Sequence, residues 1–171
     1  MPLGLRTLVP LLATALGAVA ACGGSSFDGH VFRNDELSFR VGAVPASWRR
    51  IETRGVLLAF RDAQAPASIS ITGRCGKDGD DVPLEALTHH LFLDFTEREI
   101  ERQARLQLDG REALHTELRA KLDGVAKEFS VIVLKKNGCV YDFVHVAAAG
   151  TGAAARRDFA RFVESFSTLS P

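Results

Sequence analysis

Three tight-turn dipeptides constrain the fold of this chain more than any other feature. Asp109-Gly110, Asp123-Gly124 and Asn137-Gly138 recur every 14 residues and separate apolar-rich runs. Asp, Asn and Gly tolerate the positive φ of two-residue hairpin turns, so this arrangement is a strong hairpin signal. The sequence therefore predicts four consecutive antiparallel strands, a meander, between Thr96 and Ala148.

The apolar pattern predicts two-residue loops at the second and third turns. Such loops set Leu118 opposite Phe129, and Val131 opposite Val144. Residues that lie opposite each other in a ladder share a face, so the apolar side chains of three strands meet on one side of the sheet.

The first turn is predicted to differ. A two-residue loop there would set Leu106 opposite Ala113, which places the apolar stripes of the first two strands on opposite faces. A three-residue loop with Gly110 in a left-handed G1 bulge keeps Leu106 and Leu114 on one face. We predict this bulge, with one apolar face that runs across all four strands.

The second face of the meander is apolar only on its third and fourth strands, at Ile132, Leu134, Tyr141 and Phe143. A helix is expected to cover this half and to leave the first two strands exposed to solvent. Asp142 is the one charge predicted on the apolar face, near Val133, as a sheet-edge acid or a salt-bridge partner.

Further strands and two helices are predicted outside the meander, whereas Phe27 to Glu36 has little periodicity and is expected to be an arm. Alternation and apolar runs predict strands at Leu37–Val41, Trp48–Ile51, Val56–Phe60 and Ser68–Cys75. Pro83 suits a helix start, and helical spacing follows at Leu84, Leu87, Leu91 and Phe95. Phe159, Phe162, Val163 and Phe166 form the apolar stripe of a closing amphipathic helix.

The order of these features resembles the PsbP-like superfamily, which includes small lipoproteins of the DcrB type. The resemblance is carried by Leu37-Ser38-Phe39, Pro45 and Trp48, by the midpoint helix, and by the closing Phe159-x-x-Phe162-Val163-x-x-Phe166. It covers about residues 35–169. It implies an α+β fold, an antiparallel sheet with a helix on each face, in a domain spanning residues 37–169. It implies binding or assembly and no catalytic residues.

The N-terminus predicts export and lipid anchoring. Residues 1–21 have one basic residue, an apolar segment and small residues, as secretory signals do. Val19-Ala20-Ala21-Cys22 resembles the lipobox of bacterial lipoproteins, which implies cleavage before Cys22 and its acylation, including palmitate. Gly23 in place of Asp favours the outer membrane over the inner one by the rule of enteric bacteria. A secreted protein with an incidental cysteine, or an uncleaved N-terminal helix, is the alternative.

Residues 22–36 are then a lipidated cysteine, a Gly/Ser tether and an arm that hold the domain close to the bilayer. After lipidation only Cys75 and Cys139 remain, and both lie at predicted strand ends. Since the periplasm is oxidising, a Cys75–Cys139 disulfide is expected, with two separately buried thiols as the alternative.

Charge excludes one class of partner and suggests a surface for another. The chain has 21 basic and 21 acidic residues and no run of like charge, which argues against nucleic-acid binding. The exposed half of the second face is charged, and it is a possible partner surface or simply a solvated one. Its candidate residues are Glu99, Glu101, Arg105, Glu117 and Arg119.

No residue pattern predicts a metal, a cofactor or a catalytic site. His89 and His90 are adjacent and point about 100° apart on a helix. His115 and His145 share a face of the meander but lie two strands apart, about 9.6 Å, which is too far for shared coordination. Motifs for a serine nucleophile elbow, a phosphate loop or a zinc protease do not occur.

The sequence thus predicts a non-enzymatic, membrane-anchored lipoprotein of the periplasm that binds another envelope protein or a ligand. Two alternatives are kept: a periplasmic hydrolase or ligand-processing enzyme with a dispersed site, and a purely structural envelope lipoprotein. A pocket in which an acid, a base and a nucleophile converge would favour the hydrolase.

Overall fold

The computed structural model describes residues 24–76 and 81–169, which form three layers around a large antiparallel sheet. The strands before the first helix are β1 (Ser26–Phe27), β2 (Val31–Arg33), β3 (Ser38–Arg40), β4 (Trp48–Ile51), β5 (Leu58–Asp62) and β6 (Ala67–Cys75). The helix α1 (Leu84–His90) follows, then β7 (Thr96–Leu108), β8 (Arg111–Leu122), β9 (Val125–Lys136) and β10 (Cys139–Ala148). The chain ends with α2 (Ala153–Glu164) and β11 (Ser167–Thr168).

Two sheets are present among these residues. The larger has seven strands in the order β4-β5-β6-β10-β9-β8-β7, and the smaller has four in the order β1-β2-β3-β11. The expected arm therefore contributes β1 and β2 to the smaller sheet. The α+β class and the antiparallel sheet with a helix on each face are confirmed.

The predicted meander is confirmed as β7 to β10, and so is the register of its last two turns. Leu118 lies opposite Phe129 across the second turn, and Val131 lies opposite Val144 across the third. Asp123 and Asn137 both have positive φ, as two-residue hairpin loops require of their first residue.

The predicted G1 bulge at the first turn is wrong. Leu106 lies opposite Ala113, the register of a two-residue loop, and Asp109 (φ 49°) and Gly110 (φ 71°) both have the positive φ of a type I′ turn. The register shifts occur instead nearer the start of β7, between Thr96 and Glu99 and between Ile100 and Arg102.

Contacts of the Asp109 carboxylate help to explain the tight turn. Its Oδ2 accepts hydrogen bonds from the backbone N–H and the hydroxyl of Thr168, both at 2.8 Å, and lies 2.7 Å from Nζ of Lys136. The turn is thereby tied to β11 and to the end of β9. One consequence is that Leu106 and Leu108 face the side of the sheet opposite to Leu114.

The helix α1 covers one side of the sheet, which we call the α1 face. Leu84, Leu87 and Phe92 pack there against apolar side chains of the meander, namely Leu114, Leu118, Ala120, Phe129, Val131, Val133 and Val140. The helix is shorter than its apolar spacing predicted. It ends at His90, turn residues follow at 91–94, and Phe95 lies between them and β7.

The helix α2 and the smaller sheet cover the other side, which we call the α2 face. Phe159, Phe162 and Val163 of α2 belong to the same buried cluster as Ile132, Leu134, Tyr141 and Phe143. The helix predicted over the third and fourth strands is therefore confirmed. The buried clusters on the α1 face and on the α2 face consist of residues within 24–169.

Two predicted cross-strand features join β6 to β10. Asp142 lies opposite Thr72 and Val133, is 1% exposed, and forms a salt bridge with Arg74, so it is a salt-bridge partner and not a sheet-edge acid. Cys139 lies opposite Cys75, and the two form the expected disulfide.

Reduction of this disulfide should destabilise the domain. The bond closes a loop with a sequence separation of 64, and on the chain-entropy model such a cross-link contributes about 4 kcal/mol. In a protein that starts at Gly24, reduction should lower the free energy of unfolding in urea by about this amount. Two reactive thiols in unreduced, urea-denatured protein would show that the bond does not form.

Candidate functional site

A groove between α2 and the α2 face of β7, β8 and β9 is the best candidate for a functional site. It encloses about 540 Å³. Its walls are mostly apolar and come from Leu106, Leu108, Ile132, Phe159, Ala160 and Val163. Polar side chains gather at one end of it, namely those of His115, Glu117, Ser130 and Arg156, and Gln107, Arg157 and Glu164 also line it.

The sequence produces this groove through the position and composition of α2. The buried stripe of the helix, Phe159, Phe162 and Val163, packs over the apolar ends of β9 and β10. Small residues, Ala153 and Ala160, line the groove. The tight first turn brings Leu106 and Leu108 to the same side, so the floor beneath this gap is apolar and not charged as predicted.

At the polar end, His115 and Ser130 form a hydrogen bond across neighbouring strands. Nε2 of His115 lies 2.8 Å from Oγ of Ser130, and the same nitrogen lies 4.0 Å from Oε1 of Glu117. Burial lowers the pKa of His115, and the charges of Arg102 and Arg156 oppose its protonation as well, although Glu117 acts in the other direction. The ring is therefore neutral at pH 7.

Arg156 connects α2 to two glutamates of the sheet. Its guanidinium lies 3.3 Å from Oε2 of Glu128 and 3.8 Å from Oε1 of Glu117. Glu128 also accepts a hydrogen bond of 2.8 Å from the backbone N–H of Gly150, in the turn before the helix. The start of α2 is thus held over β8 and β9 by charge as well as by packing.

His145 is fully buried beneath the start of α2. It is 0% exposed, its ring lies against Phe159, and neither ring nitrogen has a hydrogen-bond partner. Gly152 allows this close approach, because a Cβ there would lie 2.9 Å from the Cβ of Ala147 and 3.4 Å from Cε1 of His145. Burial, reinforced by Arg156, lowers the pKa of His145 to about 4.

The five residues predicted as a partner surface do not share one face. Glu99 lies opposite Arg119 on the α2 face, Glu101 pairs with Arg119 at 2.8 Å, and Glu117 lines the groove. Arg105, in contrast, lies on the α1 face, where it pairs with Glu85 and Glu112. Its placement was wrong because it depended on the bulge at Gly110, which does not form.

The other predicted sites fall outside the groove or outside the described residues. Cys22, the lipobox and the signal segment lie outside them, and the disulfide joins the ends of β6 and β10. Within residues 24–76 and 81–169, no three His, Cys, Asp or Glu side chains converge as metal ligands would. No helix in that part of the chain is long and apolar enough to span a bilayer.

Sequence reasoning missed Ser130 and Arg156 as site residues. Ser130 carried a signal: on the even-numbered side of β9 it lies directly before the apolar residues Ile132 and Leu134. A polar residue in a row predicted to lie under a helix calls for a hydrogen-bond partner. Arg156 carried no such signal, because its partners lie on β8 and β9.

Comparison with known proteins shows the fold and no closer relationship. No family model matches the sequence, and no curated protein is significantly similar to it. Solved structures are similar at the level of fold, and the described architecture is PsbP-like.

Three of these structures illustrate the likeness. Cyanobacterial PsbP (CyanoP) from Synechocystis aligns at a TM-score of 0.55 and 16% identity over 90% of this chain and 99% of that one. LpqN of Mycobacterium tuberculosis, described as involved in cell envelope biogenesis, aligns at a TM-score of 0.56 and 15% identity over 80% and 87%. A protein from Bacteroides thetaiotaomicron aligns at 0.55 and 10% identity, and the 77% of this chain that matches spans only 45% of it.

His145 should make stability depend on pH. Above about pH 6.5 the ring is neutral in both states, whereas between there and its folded pKa of about 4 only the unfolded chain takes up the proton. The free energy of unfolding should therefore fall as the pH falls through this window, by about 3 kcal/mol from this group alone.

The measurement is urea unfolding between pH 7 and pH 4 for the wild type, His145→Leu and His89→Asn. The exposed His89 serves as the matched control for the loss of an imidazole. His145→Leu should flatten it. A profile of unchanged slope in His145→Leu would rule out the buried ring as its cause.

Proposed function

We propose that this protein is a lipid-anchored accessory protein of the bacterial envelope that binds a small amphipathic molecule in the groove under α2. The groove itself carries the proposal. Its volume of about 540 Å³ lies within the range of about 300–1,000 Å³ of small-molecule sites. Mostly apolar walls with a small number of polar groups are the composition expected of such a site.

The polarity gradient of the groove indicates how a ligand lies in it. Phe159 and Val163 from α2 face Leu106 and Ile132 from the sheet along the apolar part. A chain of CH₂ groups buried there gains about 0.8 kcal/mol per group. The polar head of the same molecule then lies beside His115, Glu117 and Arg156.

The proposed anchor places this groove near a membrane. Only three residues separate Cys22 from β1, which starts at Ser26, so a chain lipidated at Cys22 would keep the domain within about 10 Å of its anchor. Two or more acyl chains on one cysteine would hold the protein stably. LpqN, which shares the fold, is described as involved in cell envelope biogenesis, and this supports the envelope assignment.

A protein partner is a weaker proposal than a small ligand. The prediction of a protein partner depended on a single charged surface of five residues. The structure places Arg105 on the opposite face of the sheet from the other four. Glu99, Glu101 and Arg119 remain on the α2 face, and Glu101 and Arg119 are paired with each other there. Neutralised charges of this kind are typical of a solvated surface.

A hydrolase is the second candidate, because a base and a hydroxyl meet in the groove. Ser130 and His115 are hydrogen-bonded at 2.8 Å, and Glu117 lies 4.0 Å from the same ring nitrogen and opposite Ser130 in the ladder. In a catalytic triad, however, the carboxylate orients the histidine through the nitrogen that does not contact the serine. Glu117 here approaches the same nitrogen as Ser130, so the three residues do not have triad geometry.

Filling the groove should abolish binding. Ala160 is exposed on α2 and lines the groove, so Ala160→Trp should occupy it with little cost to the core. We expect the fluorescent apolar probe N-phenyl-1-naphthylamine to bind the protein that starts at Gly24 and to lose at least about ten-fold in affinity in this variant. Ala154→Trp, on the same helix but away from the groove, is the matched control.

Equal probe binding by the two tryptophan variants would place the apolar site elsewhere. Hydrolysis of a dodecanoyl ester that Ser130→Ala abolishes would instead support the enzyme. Both assays use the same protein, so a binder and a hydrolase are separated directly.

The anchor has its own test. In a bacterial host with lipoprotein processing, the full chain should be recovered in the membrane fraction and should incorporate labelled palmitate. Cys22→Ala should lose both properties, because the acyl chains are attached to that thiol and to its amino group. Retention of Cys22→Ala in the membrane after signal cleavage would refute lipid anchoring.

A further inference from the structure

We propose that the ligand of this groove carries an uncharged, hydroxyl-bearing head, such as glycerol or a sugar, on a single apolar chain, and that Glu117 and Arg156 recognise that head. The inference rests on the proposed binding function and names the chemistry that the polar end selects. It depends on distances at Glu117, on the like charge that an ionic head would meet there, and on the hydrogen-bonding capacity of the head.

Glu117 has neighbours that are too far away for direct hydrogen bonds. The distance from its Oε1 is 3.8 Å to Nη1 of Arg156 and 4.0 Å to Nε2 of His115. Direct N–H···O bonds span about 2.7–3.2 Å. The carboxylate is 20% exposed and faces the groove, so it has acceptor capacity left for a ligand.

A hydroxyl group fits the gap between Glu117 and Arg156. It donates one hydrogen bond and accepts others, so it can donate to Oε1 of Glu117 and accept from Nη1 of Arg156 at the same time. A separation of 3.8 Å between those atoms leaves room for an oxygen about 2.7–3.0 Å from each. A carboxylate head only accepts, and an ammonium head only donates.

Charges of both signs meet at this end of the groove, which Arg157 also lines. Glu128 pairs with Arg156 at 3.3 Å and with Arg119 at 3.9 Å, and Arg102 lies opposite Glu117 in the ladder. An anionic head would therefore lie against Glu117, and a cationic head would lie against Arg156. Each of these ionic heads would thus meet a like charge at close range, which adds to the cost of its desolvation.

His115 adds a further neutral contact. Its Nε2 forms a hydrogen bond of 2.8 Å with Oγ of Ser130, and the ring is uncharged because burial lowers its pKa. It therefore offers no positive charge to an acid head. The polar end as a whole presents donors and acceptors in close proximity, as the neighbouring hydroxyls of a polyol require.

The test compares three ligands that share a twelve-carbon chain: 1-monododecanoylglycerol, dodecanoate and dodecylammonium. Each displaces N-phenyl-1-naphthylamine from the protein that starts at Gly24, at pH 7 and below its critical micelle concentration. We expect the glycerol ester to bind at least about ten-fold more tightly than either ion, since a hydrogen bond to a charged group contributes at least that factor.

Two variants assign the preference to Glu117. Glu117→Gln should weaken the glycerol ester about ten-fold and narrow its advantage over dodecanoate, because the charged acceptor is lost. Glu112→Gln, on the same strand but on the α1 face, should leave all three affinities unchanged. Unchanged probe affinity in Glu117→Gln reports that the groove itself is intact.

The outcomes separate this inference from the binding function. Two results would refute the proposed head group without refuting the groove as the binding site. One is tighter binding of either ion than of the glycerol ester, and the other is an equal change in the affinity of all three ligands in Glu117→Gln. If no ligand displaces the probe, or if Ala160→Trp leaves probe binding intact, the groove proposal fails first.

Discussion

The packing of α2 over β9 and β10 determines the rest of this structure. Phe159 and Phe162 are buried against Phe143 and its neighbours, and burying a side chain of this size contributes about 2–3 kcal/mol. The contact also fixes where the helix does not reach. The side chains of α2 contact the inner strands most closely, and the groove is the space left between the helix and the outer strands β7 and β8.

Buried polar atoms without hydrogen-bond partners lie at the start of α2, where a core selected for stability alone would not place them. His145 is buried with both ring nitrogens unpaired, and Nε of Arg156 is buried without a partner as well. Unsatisfied buried polar groups each cost about 1–3 kcal/mol. Such departures from stable packing are expected at functional sites, and the three atoms on His145 and Arg156 lie beside the polar end of the groove, whereas Oγ of Ser38 and Oδ1 of Asp142 are unpaired elsewhere.

The sequence predicted the meander, two of its three turn registers and both covering helices, because these depend on local turn chemistry and on the spacing of apolar side chains. It predicted the disulfide because only two cysteines remain after Cys22 and both lie at predicted strand ends. The sequence placed the irregularity of the first hairpin at Gly110, whereas the register shifts lie near the start of β7. The even-numbered apolar positions Ile100, Ala104 and Leu106 look like one stripe, but Arg102 stands in that stripe, and the register shifts beside it. The groove could not be predicted, since it depends on how far a helix reaches across strands distant in sequence.

The most direct test of this account is amide chemical-shift mapping of the isotope-labelled protein during titration with 1-monododecanoylglycerol. If the groove binds an amphipathic ligand as proposed, the shifts will concentrate on the groove-lining side of α2 and on residues of β7 to β9 that face it, with Glu117 and Ser130 among them. Shifts confined to the α1 face, around Phe92 and Leu118, or no shifts at saturating ligand, would contradict it.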